Sequence, residues 1–148
     1  MFRGQFVHSI DAKGRVSLPA RFRDGLVGNG DARFVLTPAL FDPCLNLYPM
    51  RGWEELEKRI AELPRFDPHV VRLKRMYVSA AVECELDRAG RVLVPQALRD
   101  RARLDRDALW AGAGQIVELW SKELWEQAHA MSPEQEQEFR LRMEQLGI

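Results

Sequence analysis

The chain has 148 residues, 46% of them hydrophobic and 30% charged, with 22 basic side chains set against 22 acidic ones. That composition belongs to an ordinary soluble globular protein, and a chain of this length can bury roughly two-thirds of its unfolded surface in one compact unit or two very small ones. Nothing in it approaches the run of about eighteen apolar residues that spans a membrane, and a net charge of zero weighs against a nucleic-acid partner unless positive charge is gathered locally.

In chain order, a first strand is expected to end near Asp11. A turn follows at Ala12-Lys13-Gly14, where glycine can take a positive φ, and RVSL continues as a short β-type run. Pro19, with its fixed φ, is expected to open a short helix at the first helical position. GNGD at 28–31 reads as a loop, ahead of strands at 33–36 and 45–48. WEELEKRIAEL predicts a helix over 53–63, with Trp53, Leu56, Ile60 and Leu63 on one face and Glu54–Lys58 and Glu55–Arg59 as i,i+4 pairs. A second helical stretch runs from 68 to 77.

The same order then recurs. A strand ends near Asp87, a turn follows at Arg88-Ala89-Gly90, RVLV is a short strand, and Pro95 opens a helix. Strands are expected at 108–111 and 115–120, and a helix at 121–131. Ser132-Pro133-Glu134-Gln135 is a capping box. The helix it starts is acidic and sparsely apolar, and is expected to pack on a neighbour through one narrow stripe.

This recurrence is an internal duplication. Residues 10–24 align with 86–100 at an offset of 76, with seven of fifteen positions identical: Asp, Gly, Arg, Val, Pro, Arg and Asp. The likeness resumes at an offset of 72, where CLNLYPMRGWE matches IVELWSKELWE. A ββαββ unit this small leaves strand edges and one apolar face uncovered, and two copies clasping each other would close the sheet. The expected fold is therefore α+β, two ββαββ-like repeats in one joint β-barrel with flanking helices. The boundaries are 5–52 for the first repeat, 53–80 for a helical linker, 81–124 for the second repeat and 125–148 for carboxyl-terminal helices.

Charge is uneven along the chain. Residues 1–24 carry Arg3, Lys13, Arg15, Arg21 and Arg23 against Asp11 and Asp24, whereas residues 118–148 carry three basic and seven acidic side chains. An anion-binding face accordingly belongs to the repeat and not to the tail. A turn device explains Asp11 with Arg15, and Asp87 with Arg91, since Asp caps the bend and Arg pairs with it. It does not explain the surplus of Lys13, Arg15, Arg21 and Arg23 on a turn and the helix after it. Arginine bonds phosphate bidentately and forks onto guanine O6 and N7, and lysine adds a point charge. Such a turn, displayed twice, suits a groove reader.

The D-x-K-G-R-x-x-x-P-x-x-x-R pattern of Asp11, Lys13, Gly14, Arg15, Pro19 and Arg23 resembles the MraZ family of bacterial transcription regulators, tandem versions of the AbrB/SpoVT DNA-binding fold. The likeness covers nearly the whole chain, from FRGQFVHSIDAKGRVSLPARFR through the spacing to the second copy. It implies a swapped-hairpin barrel related to the double-psi type and a ring-shaped homo-oligomer. It further implies binding of double-stranded DNA at short direct repeats upstream of the division and cell-wall gene cluster, which places the protein in the cytoplasm, on the nucleoid. The implied DNA-binding residues are first Arg15 and Lys13, then Arg91 and Arg88, with Arg21 and Arg23 beside them. Asp11 and Asp87 orient the arginines, and Gly14 and Gly90 make the turns. The second copy departs from the first in having Arg88 and Ala89 where Ala12 and Lys13 stand. Linked edges on an oligomer would let a neutral subunit grip DNA through effective concentration.

Two other readings stand beside this one. Paired aspartates in a pseudo-symmetric barrel suggest the proton-sharing dyad of an aspartic hydrolase. There the glycine falls second after Asp, however, and here it is third, followed by an arginine that would hold the carboxylate ionised. An AbrB-like antitoxin would instead bind a protein partner through the acidic tail. His8, His69 and His129 are scattered, no GxxxxGK cradle is present, and Cys44 and Cys84 lie far apart in strand-like runs. The cysteines read as buried free thiols of a reducing cytoplasm, and MFRGQFVHSID lacks the apolar core of a signal peptide. No catalytic residue, metal, cofactor, small-molecule substrate or membrane partner is assigned.

Overall fold

Alternation along the strands and the apolar faces of short helices yield eight strands and six helices in a computed structural model that describes residues 1–27 and 30–148. Positions 28 and 29 of the expected GNGD loop lie outside the described residues. The first repeat supplies β1 (Phe2–Ser9), β2 (Arg15–Ser17), α1 (Ala20–Val27), β3 (Phe34–Pro38) and β4 (Cys44–Pro49). Helices α2 (Met50–Ala61) and α3 (Pro68–Leu73) follow, the latter running into a π-helical turn at Lys74–Val78. The second repeat supplies β5 (Val82–Cys84), β6 (Arg91–Leu93), α4 (Gln96–Arg101), β7 (Asp107–Gly114) and β8 (Ile116–Ser121), and α5 (Lys122–Ala128) and α6 (Pro133–Leu146) end the chain. None of the described helices is long and apolar enough to cross a membrane.

The expected clasp is an exchange of strands. Six of them form an antiparallel sheet in the order β1-β7-β8-β4-β3-β5. The first strand of each repeat therefore pairs with the third strand of the other, β1 with β7 and β5 with β3. Strands β2 and β6 leave this sheet and pair with each other as a two-stranded ribbon. The registers define a pseudo-two-fold axis. Val16 faces Val92 in the ribbon and Asn46 faces Glu118 in the β4–β8 pair, and both are pairs of duplicated positions.

Sheet and ribbon enclose one core. Val16 and Val92 of the ribbon, with Leu18 and Val94 just after its strands, pack with Phe34, Leu36, Leu45, Leu47, Trp110, Val117 and Leu119 of the sheet. Helix α1 docks through Phe22, whose ring meets Phe2 and Phe6 edge to face. The other face of the sheet is also covered. Val35 packs with Met50, Trp53 and Tyr77 of the linker helices, and Leu109 and Trp120 pack beneath Leu124 and Trp125 of α5. Burial on both faces is why Phe34–Pro38 shows no alternation, every residue buried, and its one polar side chain, Thr37, donates to the Tyr77 carbonyl.

Several local expectations shift. The prolines stand one residue ahead of their helices: Pro95 has φ −58° and ψ 150°, and its carbonyl accepts from the Leu98 and Arg99 amides, as that of Pro19 accepts from Phe22 and Arg23. An extended ψ is what the cap position requires at a strand-to-helix corner, and proline's φ serves it equally well. Helix α2 starts at Met50, directly after β4, and ends at Ala61. Leu63 is therefore left exposed, while Trp53 and Ile60 are buried. Cys44 is buried but Cys84 only half-buried. The Ser132 capping box forms as expected, yet no residue of α6 is buried, and Phe139, Leu141 and Leu146 stay open to solvent. Its stripe finds no cover among the described residues.

Candidate nucleic-acid interface

Each turn is built around one carboxylate. Asp11 Oδ1 accepts the amides of Lys13 and Arg15 at 3.0 and 2.9 Å, and Oδ2 accepts from Arg15 Nε at 2.7 Å. Asp87 does the same for Ala89, Arg91 and Arg91 Nε at 2.9, 2.9 and 2.8 Å. Backbone bonds close the bend on both sides, Gly14 to Asp11 and Gly90 to Asp87. Gly14 and Gly90 have φ of +89° and +74°, the left-handed region that favours glycine. These donors hold the carboxylates ionised. The Arg15 amide, then its guanidinium, brings Asp11 down to about 2, and Asp87 is lowered by the Arg91 amide and guanidinium in the same way. A proton-sharing dyad needs the reverse.

The ribbon then sets the two turns side by side. Its inner face is Val16 and Val92, both 0% exposed. Pleating sends Arg15, Ser17, Arg91 and Leu93 to the opposite, outer face, where Leu93 is 57% exposed. Leu18 N–H donates to the Gly90 carbonyl and Val94 N–H to that of Gly14, so each turn is tied to the strand of the other repeat. The Arg91 Nη1 group lies 3.9 Å from Asp11 Oδ2, which sets Asp11 between two guanidinium groups. In both arginines it is Nε that engages the partner aspartate. Among the described residues the Nη groups have no acceptor within hydrogen-bond distance, and the side chains are about a third exposed.

Lys13 and Arg88 are exposed on these turns, one per repeat. Arg21 and Arg23 do not join them in the same way. Arg21 opens onto a cleft shared with Arg3, Arg51 and Glu55, and Arg23 lies against Gly90 of the other turn. Two residues escaped the sequence reading. Arg99, aligned with Arg23 in the duplication, lies against Gly14, and that identity was the signal available. Trp110 donates from Nε1 to the Ser17 carbonyl at 2.8 Å and so fastens β7 to the ribbon; no local pattern marks it.

Comparison with known proteins agrees with this architecture. Residues 1–76 and 77–143 each match the family described as "MraZ protein, putative antitoxin-like". A protein of Desulforamulus reducens named transcriptional regulator MraZ is 44% identical over 132 residues, 89% of this chain and 89% of that one. Proteins of the same name from Pelotomaculum thermopropionicum and a Marinomonas species are 48% and 46% identical, each over 126 residues, 85% of this chain and 83% of theirs. A duplication matched in both halves, with relatives this similar over most of their length, shows that the chain belongs to the MraZ family.

Proposed function

We propose that the protein is a transcriptional regulator, as its relatives are named, and that it acts by binding DNA, which it reads with the outer face of the β2–β6 ribbon. The observation that carries this reading is the placement of Arg15 and Arg91 together on that face, their Nη groups without a hydrogen-bond acceptor among the described residues, with Lys13 and Arg88 beside them. A two-stranded ribbon fits the major groove of B-DNA, about 12 Å wide. There a guanidinium held through Nε offers its outer edge to guanine O6 and N7 or to phosphate oxygens. Lys13 and Arg88 supply unspecific attraction to the backbone, while Asp11 and Asp87, which phosphate would repel, act as holders. The targets on this reading are short direct repeats in its own upstream region, at the division and cell-wall gene cluster. A ring-shaped homo-oligomer on the nucleoid presents several ribbons to successive repeats, each linked site gaining through effective concentration.

The experiment is a gel shift of that upstream region with Arg15→Ala. Loss of the shift by a folded variant is the expected result, and undiminished retardation would remove the turn as reader. Arg91→Ala is expected to do less harm, because its turn lacks the lysine. Affinity is also expected to fall with salt by about 0.9 log units per log unit of salt for each phosphate neutralised; a flat response would refute a DNA ligand.

A further inference from the structure

The two turns are not braced by their own repeats alone. We infer that Arg23 and Arg99 are positioning residues, each holding the D-x-x-x-R turn of the opposite repeat in its reading geometry. They occupy duplicated positions on α1 and α4. A Cβ added to Gly14 would collide with the Arg99 guanidinium and come within 2.8 Å of the Val94 carbonyl. One added to Gly90 would collide with Arg23 Nη1 and lie 3.0 Å from its Cζ. The glycines thus do more than permit a positive φ: each leaves a seat for an arginine that crosses from the other repeat. That cover explains why Gly14 and Gly90 are buried at the tips of otherwise exposed turns. Each turn is held on one side by its own Asp–Arg pair and on the other by a planar guanidinium.

The braces are unequal. Arg99 Nη2 donates to Gln96 Oε1, and Gln96 Nε2 donates to Asp100 Oδ1 at 2.7 Å, so the brace on Gly14 is itself anchored. In the first repeat Ala20 stands where Gln96 does, so that position offers Arg23 no amide. The better-anchored brace therefore holds the turn that carries Lys13. This assigns Arg23 a role through Gly90 in place of direct DNA contact, and it brings in Arg99 and Gln96.

The consequence for DNA rests on the reading above, but the structural part can be tested without DNA. Arg99→Met keeps much of the stem and removes the guanidinium. Its expected effect is crosswise: the amide resonances of Gly14 and Arg15 shift and exchange faster, while those of Gly90 and Arg91 stay put. Arg23→Met is expected to do the opposite, and Gln96→Ala to reproduce Arg99→Met in weaker form. On the upstream DNA fragment, Arg99→Met is expected to weaken binding at least about fivefold, the lower end for coupling between linked sites, with the salt slope unchanged. A direct phosphate contact would instead lower that slope by about 0.9.

Unmoved Gly14 and Arg15 amides in Arg99→Met, or changes confined to the turn of its own repeat, would overturn the brace. So would a reduced salt slope, and crosswise amide changes with full affinity would overturn its part in reading. If Arg15→Ala instead binds DNA normally, the DNA reading falls while the amide test still decides the brace.

Discussion

Truncating Val16 or Val92 to alanine tests whether the two repeats share one core. The residues face each other across the ribbon on the pseudo-two-fold axis, both 0% exposed. Each truncation removes the equivalent of two buried methylene groups, about 1.6 kcal/mol at ~0.8 kcal/mol apiece. The void left under a ribbon that cannot collapse far brings the cost to about 2–3 kcal/mol. For a chain of this size that corresponds to a melting point lower by about 5–10 °C. Symmetry requires the two costs to be nearly equal. Contact requires the double variant to differ from additivity by about 0.5 kcal/mol or more. Urea unfolding followed by tryptophan fluorescence measures all three, since Trp110 lies in the same core and is bonded to the ribbon. A large cost at one valine with almost none at the other, or strict additivity, would refute a shared core and leave two independent units.

Trp110→Phe strips the donor from the Ser17 carbonyl and is expected to cost about 1–3 kcal/mol, read from the same unfolding curves; an unchanged midpoint would show that the ribbon is held without it. Asp11 and Asp87 are depressed in the folded state, so their stabilising effect is present above the ordinary value of 3.8 and is lost as pH falls below it, toward about 2 for Asp11. Melting temperatures from pH 6 to 2 are expected to fall across that window, less steeply for the Asp11→Asn, Asp87→Asn double variant, and identical acid limbs would count against the turn electrostatics. Burial raises the Cys44 thiol to about 12 and the Cys84 thiol to about 11, with nearby carboxylates adding to each. Iodoacetamide at pH 8 is therefore expected to label neither until denaturant is added, and rapid labelling of the folded chain would contradict their placement.

Much of the candidate site was legible because it is local. Asp, Gly and Arg at their spacing within five residues dictate the bend, the carboxylate cap and the positive φ at Gly14 and Gly90. The need to cover strand edges pointed to a clasp of two repeats. Arg21 and Arg23 read as further DNA contacts beside Arg15 because basic residues in a row look alike until something packs against them. The fold turns Arg21 toward the cleft with Arg3 and Arg51 and lays Arg23 on Gly90. Leu63 looked like a core residue on a helix that in fact stops at Ala61, two residues short of it.

The duplication could be read directly from the chain, and so could the two capped turns and the apolar runs of the strands, which are set by neighbours a few positions away. The pairing of β1 with β7 and of β5 with β3, and the cover of Gly14 by Arg99, came instead from packing in three dimensions. A strand's N–H and C=O groups accept any well-placed partner. Swapped and unswapped pairings therefore carry the same local pattern, and only closure of both faces over one core separates them.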